Sequence, residues 1–262
     1  MDIIEIAILI GSGFFSGVFV GMGSGTTGAI MITSLSAFLY YPVHKSIGTS
    51  LTIESIIGLI AGLIFMKKGR FNIKPAIPLI ISSSIGGFIG SQFTARAPEL
   101  GLLLFISTML ILLGASFLIK GVHTNIDFVG KKIRIEKFKN HKLIFFILSG
   151  LVFGFMSGFT GMGIGGVVAL FLILILDYDI HIAIGTSLLM MFFISGSGAI
   201  GHLIKNEILV TAAYYSGFSA IIGAVFGSFY ANRIDENKLG RLIGLIIIIF
   251  GVILLFRGGI NI

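Results

Sequence analysis

Glu54 is the only carboxylate that stands well inside an apolar stretch of this 262-residue chain. An ionisable side chain in such a place is costly, and membrane proteins that keep one use it to move ions or substrate. Glu54 is therefore a candidate for proton coupling. The plainer reading is a protonated acid hydrogen-bonded to a neighbouring helix. Two glycine-rich stretches are candidates for binding: Gly23, Ser24, Gly25, Thr26 and Thr27, and Gly163, Ile164, Gly165 and Gly166. A helix that starts at a glycine corner leaves N–H groups free in its first turn. Those groups and the helix dipole favour an anion. Close helix packing through small residues is the competing reading. Gly48-Thr49-Ser50 and Gly185-Thr186-Ser187 are expected to open two long apolar helices, where their hydroxyls would cap the helix or meet a ligand. His44 and His181 precede these triplets at matched spacing and are candidates for gating or proton movement. Arg96 and Arg233 would attract anions to the mouths of a path, or snorkel to lipid headgroups.

The elements that must position these residues are apolar helices. Apolar residues make up 56% of the chain and charged residues only 11%, against about 25% charged in a soluble domain. Such a chain needs lipid as solvent. Ten apolar segments stand out, at roughly 3–20, 22–39, 47–66, 75–94, 101–119, 143–160, 164–176, 184–204, 210–230 and 242–256. All are expected to be helices, because an isolated strand cannot satisfy its backbone in lipid. The fold class is an all-α, polytopic transmembrane bundle in the inner membrane. The net charge of +7 does not point to nucleic acid. Its Lys and Arg concentrate at 67–74 and 120–142, between apolar runs, as the positive-inside rule places cytoplasmic loops. The start of the chain lacks the basic region of a cleaved signal peptide, so the first segment is expected to be retained. Cysteine is absent, and no GxSxG, HExxH, Walker loop or clustered acidic site occurs. Hence no enzyme, metal or cofactor is expected.

The two halves of the chain resemble each other. Gly21-Met22-Gly23-Ser24-Gly25 matches Gly161-Met162-Gly163-Ile164-Gly165. His44 and Gly48-Thr49-Ser50 match His181 and Gly185-Thr186-Ser187. Gly86, Gly90, Ser91, Arg96 and Glu99 match Gly223, Gly227, Ser228, Arg233 and Glu236. Residues 44–119 and 181–256 share 21 identities in 76 ungapped pairs. The expected organisation is a first membrane repeat at 1–120, a basic cytoplasmic linker at 121–142 and a second repeat at 143–262.

Segment 164–176 has 13 residues, about 20 Å of helix, against a hydrocarbon core of about 30 Å. It is read as one arm of a re-entrant hairpin with segment 143–160, the glycine corner at the tip. Each half then crosses the membrane an odd number of times, and the halves are inverted. A glycine break within one spanning helix is the rival, and it makes the halves parallel.

The doubled Gly-Met-Gly corners, the doubled Gly-Thr-Ser triplets with their preceding histidines and the Gly-Ser stretches ahead of Arg96 and Arg233 resemble the TauE/SafE family of sulfite exporters over 11–257. The resemblance implies transport of small sulfur-containing or organic anions such as sulfite or sulfoacetate. Some relatives that take up thiosulfate depend on path-lining cysteines, which this chain lacks. The leading expectation is a proton-coupled anion transporter whose partners are its substrate and the lipid bilayer, with homo-oligomerisation left open. A carrier of a cation or neutral solute in the same scaffold, or a non-transporting membrane scaffold, stands as the alternative.

Overall fold

The computed structural model of the chain describes residues 2–23, 27–132, 142–230 and 236–260. Every regular element among them is a helix. In chain order these are α1 (Ile3–Gly21), α2 (Thr27–Thr33) continued by a π-helical turn (Ser34–Phe38), and α3 (Val43–Lys67). A 3₁₀ turn (Lys74–Ala76) leads into α4 (Ile77–Thr94). Then follow α5 (Glu99–Lys132), α6 (Lys142–Thr160), α7 (Gly165–Leu176), α8 (Ile180–Ile204), α9 (Val210–Tyr230) and α10 (Glu236–Ile260). All ten expected segments are present.

Several boundaries differ from the reading of the sequence: α2 starts at Thr27 and α10 at Glu236, where 22 and 242 were expected. The backbone of α5 continues to Lys132, into the stretch read as linker. α3 and α8 start earlier than expected, at Val43 and Ile180. Both starts are held by carboxylates: Glu99 Oε1 accepts from the Val43 amide at 3.0 Å, and Asp179 Oδ1 accepts from the His181 amide at 2.9 Å. The polar residues that follow do not look apolar, but nothing in them opposes a helix. Gly48-Thr49-Ser50 and Gly185-Thr186-Ser187 therefore lie inside α3 and α8 and do not open them.

Seven helical segments among the described residues are long and apolar enough to cross a membrane. α4 shows how such a helix is built. Beyond Leu79 and Ile80 its buried face is Ser82, Ser83, Gly86, Gly87, Gly90, Ser91 and Thr94, while Ile81, Ile85 and Phe93 are exposed. α9 repeats the pattern, with Ser216, Ala220, Gly223 and Gly227 inside and Tyr214, Phe218, Phe226 and Phe229 outside. Small residues inward and large apolar residues outward is the arrangement lipid selects. Helix association there comes from close backbone approach and not from expelling water.

The contacts between the halves are reciprocal. α4 runs parallel to α6, and α9 runs parallel to α1. A Cβ on Gly17 would lie 2.1 Å from Ala220 O, and a Cβ on Gly154 would lie 1.8 Å from Ser83 O. Residues 154 and 220 each lie 137 positions after their counterparts, 17 and 83. The first helix of each half thus packs on the other half. α3 and α8 cross antiparallel, and where they meet Ser55 Oγ donates to Phe192 O at 3.0 Å. Around the crossing, Ile53, Ile57, Leu188 and Met191 are buried together. α5 and α10 also run antiparallel: Gly114 faces Ile248, and Gly251 faces Ile111.

Candidate functional site

Two hairpins bring the glycine corners into the bundle. α1 and the α2 segment turn back on each other, because Tyr41, just beyond the π-helical turn, donates its hydroxyl to the carboxylate of Glu5 at the start of α1. α7 folds back along α6 in the same way. Phe171 stacks on Phe145 with ring centroids 5.6 Å apart and meets Phe153 edge-on at 5.4 Å. At the tips, Gly23 has φ +82° and Gly161 has φ +69°, a left-handed conformation that side chains with a Cβ disfavour.

Each tip glycine rests on an isoleucine of the opposite half. A Cβ on Gly23 would lie 2.4 Å from Ile184 Cγ2, and a Cβ on Gly161 would lie 2.9 Å from Ile47 Cγ2. Ile47 and Ile184 are repeat counterparts, so Gly23 and Gly161 occupy equivalent places. The sequence match of Gly21 with Gly161 is corrected accordingly. Gly21 packs on Ala224 as Gly158 packs on Gly87. α6 continues past Gly158 to Thr160 before its corner, and this shifts the Gly-Met-Gly string relative to the helices.

Glu54 meets the second corner. Its side chain is fully buried, and neither carboxylate oxygen completes a hydrogen bond. It stands against Gly163: a Cβ there would lie 1.5 Å from Glu54 Oε1 and 2.5 Å from its carboxyl carbon. One turn back on α3, Ser50 Oγ donates to Gly161 O at 3.1 Å and fastens the corner. Ser195 of α8 faces Glu54, and its hydroxyl is likewise without a hydrogen-bond partner. Ile164 forms the N-cap of α7 and offers no side-chain cap. Gly165 is approached by Met191 Sδ, whereas a Cβ on Gly166 would meet nothing within 4 Å. The structure thus brings Glu54, Ser50 and residues 161–166 together. In the first corner, Thr27 is buried with its hydroxyl unpartnered. Ser24, Gly25 and Thr26 lie outside the described residues.

The remaining candidates are placed elsewhere. Thr49 Oγ1 accepts from the Leu209 amide at 2.9 Å, and Thr186 Oγ1 accepts from the Asn72 amide at 3.1 Å. Gly48 lies against Glu207 O and Gly185 against Arg70 O. These triplets fasten the α8–α9 and α3–α4 connections to the other half, while Ser187 Oγ donates to Ile184 O within its own helix. His44 Nε2 pairs with Ala97 O at 3.0 Å. His181 Nδ1 lies 3.4 Å from Asp179. Both histidines sit at helix starts, more than two turns along their helices from Glu54 and its counterpart Met191. Arg96 is exposed between α4 and α5, and Arg233 lies outside the described residues.

Two features escaped the sequence reading. Lys68 donates to Ser228 O at 2.9 Å near the end of α9, and its counterpart Lys205 donates to Gln92 O at 3.2 Å near the end of α4. These lysines serve carbonyls where the helix dipole favours a cation. His202, fully buried at the end of α8, pairs through Nδ1 with Glu207 Oε2 at 2.7 Å. The signals were a lysine identical in both halves, and an acid five residues after a histidine at a helix end.

A bundle of apolar helices with glycine-cornered hairpins, an inside-out distribution of side chains and a buried unpartnered acid defines a multi-pass membrane protein. Its sequence relationships narrow the class. The chain belongs to the TauE/SafE family: the family model described as "Sulfite exporter TauE/SafE" matches residues 6–254. Membership makes it a membrane transporter. Among its relatives, "Probable membrane transporter protein YdhB" of Bacillus subtilis is 25% identical over 252 residues, covering 93% of this chain and 97% of the relative. "Probable membrane transporter protein YunE" of the same organism is 23% identical, covering 92% and 93%. "Probable membrane transporter protein MJ0441" of Methanocaldococcus jannaschii is 26% identical, covering 76% and 73%. No solved structure matches the chain.

Proposed function

We propose that this chain is a secondary transporter of small sulfur-containing or organic anions, such as sulfite or sulfoacetate, in the cell (inner) membrane, and that proton movement through Glu54 drives it. The observation that carries the proposal is the contact of the Glu54 carboxyl with Gly163, the residue before the N-cap of α7. Helix starts of this kind favour anions. A buried acid beside one is suited to exchange its proton as the anion arrives or leaves. The substrate site is assigned to the second corner, Gly163–Gly166, with Ser50 as its support. Gly23 and Thr27, of the first corner, line the path from the opposite half.

The proposal includes two inverted repeats, 1–120 and 143–262, joined by a cytoplasmic segment at 121–142. Two observations support inversion. The equivalent helices α3 and α8 run antiparallel, as do α5 and α10, and the hairpins return each chain segment to the level from which it started.

The test is uptake of labelled sulfite and sulfoacetate into proteoliposomes, with and without an imposed pH gradient. Wild-type uptake that the gradient stimulates, with the stimulation absent in Glu54→Gln, supports the proposal. A second reading, cation transport with Glu54 as the ligand, draws on the same unpartnered carboxylate. It predicts sodium- or potassium-dependent flux with no anion requirement.

A further inference from the structure

The corner that would receive an anion already holds one of the protein's own acids. Glu54 Oε1 stands where a Cβ on Gly163 would fall, 1.5 Å from it, so no side chain and no ligand atom can share that place with the carboxyl. The carboxyl is fully buried and takes no hydrogen bond from any described residue. Beside Gly166, the second residue of α7, the space is open. The arrangement is confined to one half. The repeat counterpart of Glu54 is Met191, which cannot ionise and whose Sδ sits by Gly165.

We infer that Glu54 is a tethered competitor of the transported anion: its ionised carboxylate and the substrate exclude each other at the Gly163 corner, and only the second corner works in this way. This inference rests on the anion-transport reading above and gives that reading its coupling step. An ionised carboxylate at this place would be drawn to the start of α7 by the same free amides and dipole that would hold the substrate. Proton uptake removes its charge and its claim on the site. The anion then occupies the corner while Glu54 carries the proton, so the two move together. The groups that face Glu54 are few. α8 contributes the Ser195 hydroxyl, and the corner contributes Gly163. Neither carboxylate oxygen is paired with a charged side chain among the described residues.

The experiment measures anion binding to the purified full-length protein by thermal stabilisation across a pH series. The probes are methanesulfonate, whose charge is constant through the series, and sulfite. Where the binding-competent form is the protonated one, apparent affinity falls about tenfold for each pH unit above the point at which Glu54 ionises. Wild type should therefore bind methanesulfonate progressively more weakly as pH rises. Glu54→Gln should bind it with one affinity at every pH, at least about tenfold tighter than wild type at the alkaline end. Glu54→Met, which installs the residue found at position 191, is the second variant and should give the same flat profile if the glutamine variant does not fold. Binding that weakens in both variants at all pH values would overturn the inference, because Glu54 would then be a ligand and not a competitor. Wild-type pH dependence that persists in either variant would overturn it as well, leaving the anion-transport reading in place. Failure of either probe to stabilise any folded variant at any pH would overturn both.

Discussion

Thr49 and Thr186 make the same hydrogen bond from opposite halves of the molecule. Thr49 accepts from the Leu209 amide and Thr186 from the Asn72 amide. Both members of the second bond are the repeat counterparts of those in the first, 137 positions apart. A reciprocal pair of this kind is what a two-fold relation between halves produces. It also fixes what the hydroxyls of the Gly-Thr-Ser triplets do: they satisfy loop amides at the ends of α3 and α8.

Replacing either threonine by valine keeps the volume and removes the acceptor. Removing a typical hydrogen bond of this kind costs about 0.5–1.5 kcal/mol, and the cost is greater for the half-buried Leu209 than for the exposed Asn72. Thr49→Val should therefore destabilise the purified protein by about that amount in a denaturation series, and Thr186→Val by less. Because the two bonds lie at opposite ends of the antiparallel α3–α8 pair, the effects in the double variant should add.

The close pairs α1–α9 and α4–α6 depend on glycine. Alanine at Gly17 or Gly154 would set a Cβ 2.1 or 1.8 Å from a backbone oxygen, and backbone cannot step aside as a side chain tip can. Gly17→Ala and Gly154→Ala should cost about 1–3 kcal/mol or more as overpacked contacts. Gly11→Ala is the control, since a Cβ there meets nothing within 4 Å. It should be neutral or stabilising by about 0.5–1 kcal/mol through helix propensity. Thermal unfolding of the three variants side by side checks both statements.

Glu207 gives a pH dependence with a definite sign. Burial pushes its carboxyl up. The hydrogen bond with His202 outweighs that effect, together with the charges of His202, His44 and Lys205, and the carboxyl is held below its usual value of 4.5. A carboxyl depressed in the folded state contributes stability that is fully present above the unfolded value and lost as pH falls through the folded one. Wild type should therefore lose stability as the medium is acidified below 4.5. Glu207→Gln should lose less over the same acid range, and its stability should be lower than wild type at neutral pH. Unfolding midpoints measured against pH for both proteins test this.

Much of the fold could be read from composition and segment length. The ten helices and the short arm at 164–176 follow from the demand that lipid places on apolar runs. The start of α3 could not be read, because the carboxylate that holds it acts across the fold: Glu99 is far from Val43 in sequence. The start of α8 was legible in principle, since Asp179 caps it locally, two residues before His181. The exchange of α1 and α6 between halves was equally hidden, since a glycine shows that something comes close and not what it is. At the site, Glu54 was conspicuous as a lone acid in an apolar run. Its neighbour Gly163 was conspicuous as a corner. Their contact belongs to tertiary structure. The functional weight placed on Thr49 and Thr186 came from their polarity, which the fold spends on Leu209 and Asn72.

The central claim is that Glu54 couples proton movement to anion movement at the Gly163 corner. The most direct measurement is uptake of labelled sulfite and sulfoacetate by proteoliposomes under an imposed pH gradient, comparing wild type with Glu54→Gln. The account predicts uptake by wild type that rises with the gradient, and uptake or exchange by Glu54→Gln that ignores it. Gradient-stimulated uptake of equal size in the two proteins would contradict it.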